Sequence, residues 1–276
     1  MKTFKWSVAV AAVLLLAGCA SWFPQGGVKQ TASIVDYLYP DAKEAPQLQP
    51  TVTYLRPPVR VGIAFVPGAG WNSGLPETEK LKLLERVKSS FSSYGYIGGI
   101  EVIPTQYLRP KGGFANLDQI SRMFNVEVVA LISYDQVQFN DTNVFSILYW
   151  TIVGAYVIHG DRFDINTMVD TSVFDVRSRK LLFRAPGTSQ IKGSSTLAGF
   201  SERTRSARLD GYSQAVEQLI PQLQQELANF KERIKTDTGY RVENKPGYSG
   251  GGALGGLSLV IALVFAGIAS AQRRPS

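Results

Sequence analysis

The sequence predicts an α/β protein: a mixed-sheet α/β sandwich with a long C-terminal amphipathic helix, followed by one transmembrane helix. Three observations carry this. Between Arg60 and Tyr134, apolar runs of strand length alternate with segments of helical periodicity. Such alternation calls for crossover units and some parallel pairing. Between Leu209 and Ile234, apolar residues form one stripe at spacings of three and four, as in a helix lying lengthwise on a sheet. From Ala253 to Ala271 runs an uncharged stretch of about 19 residues, about the length that crosses a bilayer core as one helix.

Taken in order, Arg60 to Pro67 (RVGIAFVP) reads as a buried strand bounded by prolines and glycines. A helix follows from about Pro76 to Ser93, where Leu81, Leu84, Val87, Phe91 and Tyr94 recur on one face and Pro76 suits the first turn. Ile100 to Pro104 is a second strand. A Gly112-Gly113 loop leads to a helix from about Asn116 to Phe124, and Val126 to Tyr134 is a third strand. Val137 and Phe139 then alternate with Gln136 and Gln138. Met168 to Val176 and Leu181 to Arg184 flank a polar turn, Arg177 to Lys180, as in a hairpin. In the last helix Leu209, Tyr212, Val216, Leu219, Leu223, Leu227, Phe230 and Ile234 make the stripe, and Pro221 is expected to kink it. The resulting sandwich, residues 59–240, is read as one domain.

The chain has 276 residues, 45% of them apolar, enough for one core plus targeting segments. The net charge of +7 shrinks on inspection. Four of the 29 basic residues (Lys2, Lys5, Arg273, Arg274) lie in the end segments, leaving 25 against 22 acidic ones, a balance of +3. No nucleic-acid surface is expected. One cysteine excludes an internal disulfide, and one histidine leaves little for a metal site of the usual kind, so no metal and no cofactor is expected.

The two ends read as addresses. Residues 1–18 have a positive start and an apolar run, Ser7 to Leu16, as in an export signal. At its end stand Leu16, Ala17, Gly18 and Cys19. Residues 19–58, with prolines at 24, 40, 46, 50, 57 and 58, read as a tether, in which Ser33 to Tyr39 is a short helix or docking strand. At the other end, Ser249 precedes Gly250, Gly251 and Gly252 in a linker spanning 241–252. The apolar run 253–271 follows, then the basic end 272–276. Arginines beside a spanning segment are kept on the cytoplasmic side, so the body faces away from it. Each glycine weakens a helix by up to about 1 kcal/mol relative to alanine, which favours local unwinding; a flexible linker to a permanent anchor is the plainer account.

Leu-Ala-Gly-Cys after an apolar run resembles the lipobox of bacterial lipoproteins. Ser-Gly-Gly-Gly, one apolar span and a basic end resemble the GlyGly-type C-terminal sorting signal. Together they resemble the rhombotarget lipoprotein family, with further likeness in SILYWTIVGAY and VFDVRSRKLLFRAPG. The resemblance implies signal-peptide removal and acylation at Cys19 by the lipoprotein acylation and signal-peptidase machinery. It also implies cleavage within Ser249 to Gly252 by rhombosortase, a rhomboid-family intramembrane protease. Because no acidic residue follows Cys19, it further implies an outer-membrane destination. Membrane lipid and an envelope assembly or secretion partner are the expected contacts. The family is defined by processing, so no activity follows from it, and the expected role is non-enzymatic. Alternatives are an envelope hydrolase and a dual-anchored lipoprotein that keeps its C-terminal helix.

Candidate chemistry elsewhere is thin. Gly68, Gly70 and Gly74 lie between a strand and a helix, but their spacing is wrong for a dinucleotide fingerprint and no GK[ST] follows. His159 stands near Asp161, Asp164 and Asp170, which would suit acid-base work; a surface histidine is the plainer reading. Ser194, Ser195, Ser201 and Ser206 lack a nucleophile-elbow context. Phe145 to Ile158 reads as core or a bent hairpin, or else as an exposed apolar face. Arg203, Arg205 and Arg208 read as a solvated face that could also meet anionic headgroups.

Overall fold

In a computed structural model of the chain, the described residues are 28–40, 52–68, 75–142, 161–196 and 199–249. The elements are β1 (Val28–Ala32), α1 (Ile34–Leu38), β2 (Thr53–Leu55), β3 (Val59–Phe65), α2 (Glu77–Phe91), β4 (Ile97–Val102), α3 (Gly113–Phe124), β5 (Val128–Thr142), β6 (Asp161–Asp175), β7 (Leu181–Ser195), α4 (Phe200–Thr236) and β8 (Tyr240–Val242). The molecule is a mixed α/β fold with a mixed sheet and a long helix, as the sequence predicts.

The sheet order is β4-β3-β5-β6-β7, with β1 also paired to β5. β3 is parallel to both neighbours: Val61 lies opposite Ile100 of β4 and Val128 of β5, and Ile63 opposite Val102 and Ala130. Parallel neighbours need crossovers, and α2 and α3 supply them. Since β4 and β5 flank β3 on opposite sides, right-handed crossovers carry α2 and α3 to opposite faces. The hairpin β6–β7 adds the antiparallel part. Its turn is set by Asp175, whose Oδ2 accepts from the Ser178 amide at 2.7 Å and hydroxyl at 2.6 Å, and by Arg179 at φ 57°.

Local chemistry sets the helix ends. Pro76 precedes α2, and Glu77 and Glu79 sit in its first turn, where the helix dipole favours negative charge. Glu77 Oε1 also accepts from the Thr105 amide at 2.7 Å. α3 starts three residues earlier than expected, at Gly113, whose φ of +61° suits glycine. It ends in the left-handed Asn125. α4 continues through Pro221 without interruption; Pro221 and Glu217 are both exposed, so the carbonyl that loses its partner faces water.

The stretch 19–58, read as a tether, contributes β1, α1 and β2; within it Ser33 to Tyr39, read as a short helix or docking strand, forms a helix capped by the Ser33 hydroxyl. β5, β6 and β7 run on through polar residues to 15 residues each. The chain divides into two compact units. Among the described residues no helix is long and apolar enough to cross a membrane; the run 253–271 lies outside them.

The larger unit (30–135, 168–188, 212–276) holds β3, β4, β2, β8, α1, α2 and α3. Its core includes Leu55, Val128, Val173, Leu182, Phe230 and Tyr240. β2 and β8 pair in parallel, Leu55 opposite Val242. α1 is fastened to α3 by Tyr37, whose hydroxyl donates to Asn116 Oδ1 at 2.9 Å. The smaller unit (1–29, 136–167, 189–211) is built on Phe163, Ile165 and Ala207, with Phe163 edge-on to Phe200 at 6.2 Å. There the expected alternation is inverted: Gln136 and Gln138 are buried and Phe139 is exposed. Gln136 Nε2 donates to Thr167 Oγ1 at 2.8 Å and to the Arg208 carbonyl at 3.0 Å.

Candidate functional site

One face of the sheet in the larger unit presents Val59, Val61 and Ile63 from β3 and Val128, Ala130 and Ile132 from β5, every second residue of each strand. α2 brings Val87 and Phe91 to this face, and α4 brings Leu223, Leu227, Phe230 and Ile234. These residues do not close on one another. They surround a cavity of about 510 Å³, lined almost wholly by aliphatic and aromatic carbon.

The gap has a local cause. α4 is held tightly at one point, Gly187 on β7, where a Cβ would come within 2.8 Å of Leu219 Cβ and would overlap the Ala215 carbonyl. Polar contacts also hold α4 to α2: Arg86 Nη1 donates to Ser213 Oγ at 3.0 Å and Glu217 Oε1 at 3.1 Å, and Gln224 Nε2 to the Ser90 carbonyl at 3.4 Å. The sheet beneath carries short side chains. As a result Val61 and Ala130, on the two strands at the middle of the parallel part, remain only partly buried, as do Phe183 and Ile234.

The mouth is of different character. Lys88, Tyr96, Lys231, Asn244, Tyr248 and Ser249 line it. Lys231 Nζ stands 4.8 Å from the centre of the Tyr96 ring, and Lys88 Nζ is 3.4 Å from Glu85 Oε1 in an exposed pair. Burial pushes the Tyr96 phenol up to about 12, with Tyr94 and Tyr248 adding to it, so Tyr96 stays a neutral donor at any physiological pH. Inside, Thr171 lines the cavity, and its buried Oγ1 has no hydrogen-bond partner. The lining offers no nucleophile held against a base. What the site can do is exclude water around an apolar chain and meet a polar group at the mouth.

The segment ahead of the glycine run forms part of that mouth. After β8 the Glu243 amide donates to the Leu55 carbonyl at 3.0 Å and the Lys245 amide to the Pro57 carbonyl at 2.8 Å. Lys245 Nζ reaches the Pro58 carbonyl at 3.0 Å and Glu127 Oε2 at 2.9 Å. Ser249, first of the expected processing residues, is exposed. Gly250, Gly251 and Gly252 lie outside the described residues, as do Leu16, Ala17, Gly18 and Cys19.

The other candidates part company. His159, Phe145 to Ile158 and the loop 69–74 lie outside the described residues. Asp164 accepts from Gln190 Nε2 at 3.0 Å and pairs with Lys192, while Asp170 pairs with Arg184 Nη2 at 3.1 Å, each as a strand-surface ion pair. Ser195 Oγ donates to the Thr196 carbonyl at 3.1 Å; Ser194, Ser201 and Ser206 are exposed. Arg203 and Arg205 are exposed and Arg208 half-buried. Among the described residues no group of three His, Cys, Asp or Glu side chains is placed to hold a metal ion. Sequence reasoning missed the cavity altogether. Its one sequence-level trace is that Ala130 and the valines of β3 are small for the middle of a sheet.

No protein-family model matches the chain, and no curated protein matches it. Among solved structures it is similar to a PelC dodecamer from Paraburkholderia phytofirmans in space group C2, at 12% identity over 71% of this chain and 97% of that one, with a TM-score of 0.28. A second crystal form of the PelC dodecamer, in space group P6, matches at 9% identity over 71% and 96%, with a TM-score of 0.27. Lipoprotein GNA1162 from Neisseria meningitidis matches at 16% identity over 54% of this chain and 96% of that one, with a TM-score of 0.22.

Proposed function

We propose that this chain is a bacterial cell-envelope lipoprotein, acylated at Cys19 and trimmed within Ser249 to Gly252 by a rhomboid-family protease, whose body acts by binding rather than by turnover. The observation that supports it most is the place of the body's last fastenings among the described residues. β8, Glu243 and Lys245 tie the chain to β2, to the prolines ahead of β3 and to the edge of β5; Ser249 then stands exposed directly before the glycine run. A tail attached there can be removed without breaking any of these contacts. The Cys19 acyl chains would hold the trimmed protein, since each buried methylene contributes about 0.8 kcal/mol.

The test is mass spectrometry of both ends of the protein isolated from its own cells. The expected result is a triacylated N-terminus at Cys19 and a C-terminus within residues 249–252. A strain lacking the protease should yield the chain with Arg273 and Arg274 intact. A mature protein that keeps both arginines in the wild-type strain, or carries an unmodified thiol at Cys19, overturns the reading.

A further inference from the structure

We infer that the cavity between the sheet and helices α2 and α4 is a binding site for a single-chain anionic amphiphile, a fatty acid or the acyl chain of an anionic lipid. This goes beyond the sorting reading and stands on geometry that does not depend on it.

Three observations lead there. The volume, about 510 Å³, falls in the range of about 300–1,000 Å³ that small-molecule sites occupy, and the lining is predominantly apolar, as in such sites. An apolar occupant is therefore required. An extended hydrocarbon chain meets that requirement. Finally, the mouth supplies positive charge beside a phenol: Lys88 and exposed Lys231, whose Nζ stands 4.8 Å from the centre of the Tyr96 ring. An anionic headgroup there would draw Lys88 from its exposed pair with Glu85, which holds it weakly.

The chains on Cys19 are a second source of hydrocarbon, but their diacylglyceryl group is uncharged and brings no anion to the two lysines. A free anionic amphiphile satisfies both ends of the site.

The test uses the full chain in nanodiscs of neutral phosphatidylcholine, with a diazirine-bearing palmitate as the photoreactive probe and adducts mapped by mass spectrometry. Adducts are expected on peptides containing Val61, Ala130 and Leu227, and unlabelled palmitate should displace them far better than its uncharged methyl ester. Ala130→Phe fills the cavity and should abolish these adducts without lowering the melting temperature. Should that variant fail to fold, the surface variant Lys88→Glu/Lys231→Glu decides, with labelling expected to fall about tenfold. Adducts confined to other peptides, or cavity adducts indifferent to the lysine reversal, overturn the proposal. So does a Cys19→Ala chain that labels where the wild type does not, because the protein's own acyl chains would then be the occupant.

Discussion

Lys245 Nζ donates to Glu127 Oε2 at 2.9 Å, joining positions 118 apart in sequence at the point where the body gives way to the glycine run. The pair is partly exposed, so its own contribution is modest, about 0.2–1 kcal/mol. Its position matters more. With the Glu243 and Lys245 amides it fixes the chain as far as the cavity mouth.

A stop codon after Ser249 should therefore leave the stability of the body unchanged in urea titrations. A stop codon after Asp237 removes β8 and the buried Tyr240, which meets Phe230 edge-on at 5.5 Å and carries Lys180 Nζ over its ring at 3.8 Å. That truncation should cost about 3–5 kcal/mol, the usual scale for deleting a buried aromatic. Equal stability of the two truncations would show that β8 is dispensable.

Gly187 is where β7 and α4 touch most closely. Any Cβ there meets the Leu219 backbone nitrogen at 2.8 Å, and backbone cannot swing aside as a side-chain tip can. Gly187→Ala should destabilise by about 1–3 kcal/mol through overpacking, measured by denaturant unfolding. Gly62→Ala is the control, since the atoms it meets, Ile103 Cδ1 at 2.7 Å and Val126 Cγ2 at 3.1 Å, are the ends of side chains. Its cost should be smaller.

How much of this was legible follows from which signals are local. The run RVGIAFVP, the spacing of Leu84, Val87 and Phe91, and the stripe from Tyr212 to Phe230 each report burial on their own element, and each is observed. The polar turn between β6 and β7 was equally plain, because Asp175 and Arg179 specify it within five residues. The extensions of β5, β6 and β7 were not. Gln136 and Thr167 are buried there on the hydrogen bond between them, and Gln138 on one to Asn140, which no hydropathy pattern records. The cavity was illegible for a related reason: it is the space between residues 61, 130, 183 and 234, set by where α4 is pinned.

Asn116 makes a prediction about polar satisfaction. Its Oδ1 accepts from both the Tyr37 hydroxyl at 2.9 Å and the Arg109 amide at 2.8 Å, and its Nδ2 donates to the Tyr107 carbonyl at 3.3 Å. Tyr37→Phe leaves Asn116 Oδ1 paired with Arg109 and should cost only about 1 kcal/mol. Asn116→Ala leaves the buried Tyr37 hydroxyl without its acceptor and should cost more, about 2–3 kcal/mol. Comparable losses in the two variants would contradict this ordering.

The same hydroxyl gives the alkaline limb of stability. Burial raises the Tyr37 and Tyr134 phenols above the ordinary value, the charge of Glu77 adding to the rise at Tyr134, and Tyr96 rises from 10.0 to about 12. A group whose folded value is raised holds its proton more tightly in the folded state, so its contribution is intact below the unfolded value and lost as pH climbs through the folded one. Stability should be level up to about pH 10 and fall above it. Tyr37→Phe should flatten that fall; an unchanged slope would mean the phenol is not buried in solution.

Thr171, inside the cavity, carries a buried hydroxyl without a partner. In the ligand-free protein its unpaired Oγ1 is a liability, and Thr171→Val keeps the shape while removing it. The variant should gain about 1 kcal/mol in urea unfolding, at the low end of the cost of a buried unsatisfied hydroxyl. A neutral variant would place the hydroxyl in contact with water.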